Sequence, residues 1–415
     1  MEVNLKRISA VFLILSMFLL LLYPGNVDGR ILNTSQERDG EAVTVSATVD
    51  AQLTLSSASA VLIEGSTGTV IYDKNKDERL KPASITKIMT LLLIFEALES
   101  GQIKLTDEVS VSEYAASMGG SQVYLEPFEV QTVDTMIKCI SIASANDASV
   151  AMAEYIAGSE EEFVARMNSR AKELGMNNTN FMNCCGLDTD NHYSSAYDVA
   201  LMSKQLITKH PEISKYSTVW MDTIIHTTKK GQSEFGLTNT NKLIKFYQGI
   251  TGLKTGSTSL AKYCLSATAK RNNMDLIAVI MAAPDTKTRF QEASKLLNYG
   301  FANYSVFTDN NSDLVLEPVK VGKGIMDTVP GTTGSDFSYL CTKGKSPENI
   351  RKEIVLFEEV PAPVAINDKI GEIVYYYGDE EIGRIDIVAS QAVGKAKYKD
   401  CVVKILTRYF LGPQK

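Results

Sequence analysis

Three short stretches of the chain carry side chains with chemistry in them. Ser84-Ile85-Thr86-Lys87 sets a hydroxyl and an amine three residues apart. On a helix, residues at i and i+3 share a face, so the pair reads as a nucleophile and its base. A serine hydroxyl is a weak nucleophile until a neighbour takes its proton, and a lysine can do so once burial or nearby positive charge lowers its pKa. The spacing alone decides little. Ser169–Lys172 and Ser259–Lys262 repeat it, and a helix cap beside a snorkelling lysine is spelled the same way. The second stretch is Ser144-Ala145-Asn146, the only Ser-x-Asn in the chain. The third is Lys254-Thr255-Gly256-Ser257-Thr258, whose Lys-Thr-Gly occurs nowhere else.

The elements that must position these residues follow from the pattern around them. Pro82 disfavours helix at Lys81 and suits a turn or a first helical position. The run Ile88-Met89-Thr90-Leu91-Leu92-Leu93-Ile94-Phe95 is apolar on every side and reads as a helix buried all round. Ser84 is then expected in the first turn of a core helix. Upstream, Ala60–Glu64 and Thr69–Asp73 flank Gly65-Ser66-Thr67-Gly68, which predicts a hairpin. From about Leu105 to Ile244 the pattern is mostly helical. Helices are expected from Thr132, over Ala148–Ile156, over Glu160–Leu174 with Gly175 as the stop, and over Ala196–Thr208. Ser144-Ala145-Asn146 falls between the first two. Three β-rich runs follow, Gly249–Ser257, Tyr263–Lys270 and Met274–Ala283, then a helix from about Thr286 to Tyr299. This order implies an α+β fold over residues 57–303, one antiparallel sheet made from both ends of the domain and covered by helices.

Residues 304–394 alternate short β-rich runs with turn residues and read as a small all-β domain without chemistry of its own, a spacer or partner-binding module. Residues 395–415 carry six basic side chains against Asp400 alone, and Tyr398, Cys401, Val402, Ile405, Leu406 and Tyr409 fall on one helical stripe. A basic helix with an apolar face suits a membrane surface; the alternative is a last helix docked on its own protein. At the other end, Lys6 and Arg7 precede an apolar run from Ile8 to Tyr23 and a small-residue segment ending at Gly29. That is the order of a secretory signal over residues 1–29, followed by a polar tether over residues 30–56, so the body of the protein is expected outside the cytoplasm.

The net charge of −7 over 415 residues argues against a nucleic-acid binder. The three histidines form no H-E-x-x-H pair and the six cysteines show no metal-site spacing, so no metal and no cofactor is expected. Cys184 and Cys185 are adjacent and poorly placed to bridge each other, and the cysteines read as mostly buried thiols. No G-x-S-x-G elbow is present.

Taken together, the three motifs resemble those of the penicillin-recognising serine enzymes, whose pattern is S-x-x-K, then S-x-N, then K-T-G. More narrowly, the chain is similar to the low-molecular-mass penicillin-binding proteins of the D-alanyl-D-alanine carboxypeptidase type, peptidase family S11. Runs such as Pro82–Thr90, Gly119-Gly120-Ser121-Gln122, Ser144–Ala148, Gly186-Leu187-Asp188 and Gly252–Thr258 carry the resemblance, which extends from about Ser57 to the C-terminus. It implies an acyl-enzyme on Ser84, with Lys87 as base and Ser144 relaying a proton to the leaving amine. Asn146 would bind the substrate backbone, and Lys254 with Thr255 would take its terminal carboxylate. The backbone N–H groups of Ser84 and Ser257 would hold the oxyanion. The implied partners are a peptidoglycan pentapeptide ending in D-Ala-D-Ala, β-lactams and a membrane surface. Rivals on the same fold are a β-lactamase or an endopeptidase, and a catalytically silent penicillin-binding envelope protein.

Two positions depart from the family pattern: Lys262 and Phe128 stand where glycine is common. One segment imitates a β-lactamase. Glu173-Leu174-Gly175-Met176-Asn177 spells the E-x-x-x-N that supplies the deacylation base of class A enzymes, but it lies at an expected helix end and reads as structure.

Overall fold

The computed structural model describes residues 53–229 and 231–411. The expected signal segment, most of the tether and the last four residues lie outside that range. Residues 53–57 do not run free as a tether would. Leu55 is buried, Tyr72 donates to the Leu53 carbonyl (3.1 Å), and Lys74 Nζ donates to the carbonyls of Leu55 and Ser57.

The hairpin is β1 (Ser59–Glu64) and β2 (Val70–Lys74). A 3-10 turn, Ala83–Thr86, leads directly into α1 (Lys87–Glu99). Ser84 therefore sits in a tighter turn than the expected α-helical one, with the lysine as the first α-helical residue. The region expected to be mostly helical contains two strand pairs as well. The first is β3 (Glu108–Ser110) with β4 (Val130–Thr132). Helix α2 (Val133–Lys138) follows, N-capped by Thr132, and passes into a π-turn, Cys139–Ala143, that ends on Ser144 in the left-handed conformation (φ 63°). Then come α3 (Asn146–Ala157), α4 (Glu160–Glu173) and α5 (Ala196–Lys209). The second pair is the hairpin β5 (Met221–Thr228) and β6 (Gly231–Thr238). Strands β7 (Ile250–Thr258), β8 (Lys262–Arg271) and β9 (Met274–Ala283) lead to α6 (Thr286–Asn303).

The central sheet has the order β2-β1-β9-β8-β7 and is antiparallel throughout. It is made from both ends of the domain, as the order of elements predicts. Both faces are covered, so its central strands are apolar on both sides. Along β9, Leu276, Ala278 and Ile280 face the layer formed by α6, with Leu296 and Leu297. Ile277, Val279 and Met281 face the opposite layer, which contains α1 and α5. Helix α1 lies in the middle of this second layer, with Ile88, Met89, Leu91, Leu92, Ile94 and Phe95 buried. Burying such a side chain contributes about 1.5–3 kcal/mol each, so the helix that presents Lys87 is among the most firmly held parts of the molecule.

Beyond α6 the chain forms small sheets around a separate apolar cluster that includes Ile370, Ile373, Tyr375 and Ile387. The largest sheet has four strands in the order Gly331–Thr333, Glu380–Ala389, Lys369–Tyr377, Ile350–Leu356. Residues 313–318 are irregular and lead into a short strand, Val319–Gly322. The last element is α7 (Tyr398–Leu411).

Candidate active site

The first turn of the site is shaped by close approach. Ala83 has a positive φ of 49°, which is uncommon for a residue with a side chain. Its carbonyl faces Gly186, where a Cβ would lie 1.8 Å from the Ala83 oxygen. Only glycine fits there. On the other side, strand β7 approaches the turn through Gly256, where a Cβ would lie 2.7 Å from the Ser84 nitrogen. The Lys-Thr-Gly glycine thus lets a strand backbone lie against the start of the serine turn.

Lys87 is fully buried and its Nζ has three partners: Ser84 Oγ at 3.1 Å, Asn146 Oδ1 at 2.6 Å and the Cys185 carbonyl at 2.8 Å. Asn146 is held from behind, its Nδ2 donating to the Gly119 carbonyl (2.6 Å) and its backbone N–H to the Ser121 carbonyl (2.7 Å). The Gly119–Gln122 run is therefore the floor on which the asparagine rests. Ser144 is buried two residues earlier, and its hydroxyl makes no hydrogen bond. A buried hydroxyl without a partner costs free energy, and such groups are found where a reacting group supplies the missing bond.

Lys254 is also buried, with only the Thr255 carbonyl, at 3.3 Å, near its amine. Burial, then the Lys87 charge, then the Arg289 charge push its pKa well below that of an ordinary lysine. Burial likewise lowers Lys87, opposed by the Cys185, Cys184 and Asp147 groups. Thr255 Oγ1 is 2.7 Å from Thr240 Oγ1. Ser257 is exposed at the cleft edge.

The fold thus links Ser84, Lys87 and Asn146 by hydrogen bonds, sets Ser144 beside them in sequence, and lays the Lys254–Ser257 strand against the serine turn. The other two Ser-x-x-Lys pairs do not join this cluster. Ser169 and Lys172 lie on α4, and Ser259 and Lys262 lie at the β7–β8 turn.

Three contributors carry no motif. The Cys185 carbonyl is backbone and has no spelling in sequence. Thr240 follows the β6 strand that the helical pattern hid. Arg289, on α6 and buried, reaches strands β7 and β8, where its Nη1 donates to the carbonyls of Gly256 (3.0 Å) and Cys264 (3.2 Å). An arginine one turn inside an amphipathic helix looks like any surface charge until the fold turns it inward.

The two departures from glycine are backbone features. Phe128 has φ 67° and Lys262 φ 55°, both left-handed. Each side chain occupies a conformation suited to glycine, at a modest cost in strain. Glu173 closes α4 and pairs with Arg170 at 2.9 Å, with Gly175 left-handed just beyond. It is a helix end, as the sequence pattern around it predicts.

Comparison with known proteins bears on the family and the fold. A family model described as D-alanyl-D-alanine carboxypeptidase matches residues 44–285, and one described as the penicillin-binding protein 5 C-terminal domain matches residues 301–395. The D-alanyl-D-alanine carboxypeptidase DacF of Bacillus subtilis is 47% identical over 82% of this chain and 86% of its own. DacC of Escherichia coli is 33% identical over 80% of this chain and 83% of its own. Among solved structures, penicillin binding protein 5 from Haemophilus influenzae superposes with a TM-score of 0.69 at 32% identity, covering 82% of this chain and 98% of that one. With both family models matched in order along one chain and a relative at near half identity, the protein belongs to the low-molecular-mass penicillin-binding proteins of the serine D-alanyl-D-alanine carboxypeptidase family, S11.

Proposed function

We propose that the protein removes the terminal D-alanine from peptidoglycan stem peptides on the outer side of a bacterial cell membrane, with Ser84 as nucleophile and Lys87 as its base. One observation carries this reading: the three partners of Lys87 Nζ. A lysine ammonium has three hydrogens and no acceptor. In the neutral amine, two N–H bonds serve Asn146 Oδ1 and the Cys185 carbonyl, and the lone pair faces Ser84 Oγ. The two carbonyl oxygens can only accept, so they aim that lone pair at the hydroxyl.

The steps then balance. Ser84 Oγ attacks the carbonyl carbon of the D-Ala–D-Ala bond while its proton passes to Lys87. The oxyanion is held by the N–H groups of Ser84 and Ser257. Collapse breaks the C–N bond, and a proton reaches the leaving amine through Ser144, whose hydroxyl has no other partner. Water attacks the resulting ester and restores the serine. Penicillin acylates the same oxygen. The substrate carboxylate lies against Lys254 and Thr255. Rotation of the two hydroxyls lets Thr240 donate to Thr255 and frees the Thr255 proton for the carboxylate. The carboxylate also favours the charged form of Lys254, and that charge in turn keeps the Lys87 amine neutral. Binding of the correct substrate thereby prepares the base.

The segment 1–29 serves as export signal, and residues 304–394 act as a spacer. Helix α7 lies on the membrane. In its support, Tyr398, Cys401, Val402, Ile405, Leu406 and Tyr409 are all exposed, while Lys404 ties the helix to the Gly324 carbonyl and to Asp327. Among the described residues no helix is long and apolar enough to cross a membrane.

The test is to incubate the protein with labelled penicillin and, separately, with a peptide ending in D-Ala-D-Ala. A stable adduct on Ser84 together with D-alanine release is expected. Fast penicillin turnover without peptide cleavage would transfer the protein to the β-lactamases, and neither adduct nor release would make it a silent envelope protein.

A further inference from the structure

Behind the base lies a group of side chains that the reaction does not use. Cys184 and Cys185 are both buried, and their sulfurs are 3.7 Å apart. That is far from the roughly 2.05 Å of a disulfide. It matches the sulfur–sulfur edge, about 3.8 Å, of a tetrahedral site with metal–sulfur bonds of about 2.3 Å. The carboxylate of Glu160 joins them from the start of α4, and ligand atoms of the three residues all lie within 4.8 Å of one another. The set is held in place before anything binds. Asn183 Oδ1 accepts from the N–H groups of Cys185, Gly186 and Leu187, Thr90 Oγ1 donates to the Cys184 carbonyl, and Tyr114 donates to Glu160 Oε2 at 2.7 Å. Glu160 Oε1, the oxygen on the cysteine side, accepts from the Cys184 N–H at 3.0 Å and keeps a further lone pair for an ion, and a hydrogen bond to the other oxygen of a ligating carboxylate is the usual support of a metal ligand. Glu160 is half-buried and Tyr114 exposed, so an ion can enter from that side.

We propose that Glu160, Cys184 and Cys185 form a three-ligand site for one thiophilic divalent cation of the zinc class. Two soft sulfurs select such an ion over magnesium or calcium. On binding, the two thiols each lose a proton to solvent and two metal–sulfur bonds and one metal–oxygen bond form. The fourth position, toward Tyr114, is left to water. The two thiolate charges balance those of the ion, so the field at Lys87 changes little. What changes is rigidity: the Cys185 carbonyl that receives the Lys87 N–H becomes part of a chelate. The ion is a clamp on the 183–187 loop.

The test uses the full chain, reduced with a phosphine and titrated with Co²⁺. Expected are a thiolate-to-cobalt charge-transfer absorption that saturates at one ion per chain, and a higher melting temperature with Zn²⁺. Cys401→Ser, which removes the one exposed thiol, should leave the band intact. Cys184→Ser and Cys185→Ser should abolish it, and Glu160→Gln should weaken Co²⁺ binding by about tenfold or more. Penicillin labelling shows which variants are folded. If a cysteine variant does not label, Glu160→Gln, altered only at the half-buried rim, decides the matter alone. No band in the wild-type chain, a band that disappears with Cys401, or full affinity in Glu160→Gln would overturn the proposal.

Discussion

The Lys87 amine lies closer to Asn146 Oδ1, at 2.6 Å, than to the hydroxyl of Ser84, at 3.1 Å. The asparagine is therefore the neighbour that most directly sets the amine's direction and charge. An amide oxygen orients the neutral amine without favouring its protonated form as a carboxylate would. Asn146→Asp should raise the Lys87 pKa, because a carboxylate beside the amine favours its charged form. With Lys87 as the base, penicillin acylation should speed up as pH rises and the amine loses its proton, and in the variant this limb should move to higher pH. On the acid side of that limb the rate should fall about tenfold or more, since a tenfold loss of neutral amine needs only about 1.4 kcal/mol. The pH profile of acylation in wild type and variant checks it. An unchanged limb with a lower plateau would assign Asn146 to substrate binding alone.

Gly256→Ala tests the contact between β7 and the serine turn. The new methyl would lie 2.7 Å from Ser84 N, 3.0 Å from Ile85 N and 3.0 Å from Ala83 Cβ. The neighbours are mostly backbone, so the strand must back away and take the Ser257 amide with it. Loss of one oxyanion donor typically costs about 10²–10³ in kcat. We expect a fall of that size with the melting transition retained, because β7 is an edge strand of the central sheet. Steady-state kinetics beside thermal unfolding separate the two effects.

Much of this arrangement is legible in the sequence because it is local. Ser84 and Lys87 are one turn apart, the α1 run is apolar on all sides, and the central strands lie where β-rich runs predict them. Legibility fails where a residue's role depends on what the fold brings to it. The β5–β6 hairpin has much of its surface in solvent. Its buried anchors include His226, bonded to Glu129 at 2.8 Å, and Ile224, too few to show against a helical background. The carbonyl of Cys185 has no residue type, and Glu160 meets Cys184 only because α4 starts beside a loop two dozen residues later. Phe128 and Lys262 were visible as departures, but their meaning, a left-handed backbone, lies in φ.

His192 makes the same turn sensitive to acid. Its Nδ1 accepts from the Met182 N–H at 3.1 Å, so the ring proton is on Nε2, 2.9 Å from Thr86 Oγ1 between the two catalytic candidates. Burial, and then the Lys81 charge, lower its pKa from 6.5 to about 4. Between these values the unfolded chain binds the proton and the folded chain does not, so stability rises with pH. The contribution is complete above about pH 6.5, is lost as pH falls toward 4, and levels off below; it amounts to about 3 kcal/mol. Urea midpoints measured across this window should fall in the wild type and fall less in His192→Gln.

Removal of residues 398–415 tests the tail. The full chain should sediment with vesicles containing anionic lipid and be released by salt, as expected of a basic interfacial helix. The shortened chain should stay in solution while still acylating with penicillin, since Lys404 ties α7 to Gly324 and Asp327 and not to the residues of the site. Sedimentation of both forms alike would place the membrane contact elsewhere.

Arg289 is the residue whose effect reaches the reaction through a single peptide unit. Its guanidinium donates to the Gly256 carbonyl at 3.0 Å. That carbonyl and the Ser257 N–H belong to one planar peptide, pointing in opposite directions. Fixing the oxygen therefore fixes the direction of the Ser257 amide, and if that amide is an oxyanion donor the charge polarises it toward the developing oxyanion. The contact matters most where the substrate oxygen carries negative charge, which is in the transition state. Arg289→Met keeps the apolar stem beside Phe290 but removes the donor. We expect kcat for the D-Ala-D-Ala peptide to fall about tenfold or more with KM little changed, the signature of an interaction made in the transition state. Arg289→Lys, whose ammonium sits on a differently shaped stem from the planar guanidinium that reaches both carbonyls through Nη1, should recover only part of the loss. A rise in KM at constant kcat would instead mean that Arg289 acts through the Lys254 charge on carboxylate binding.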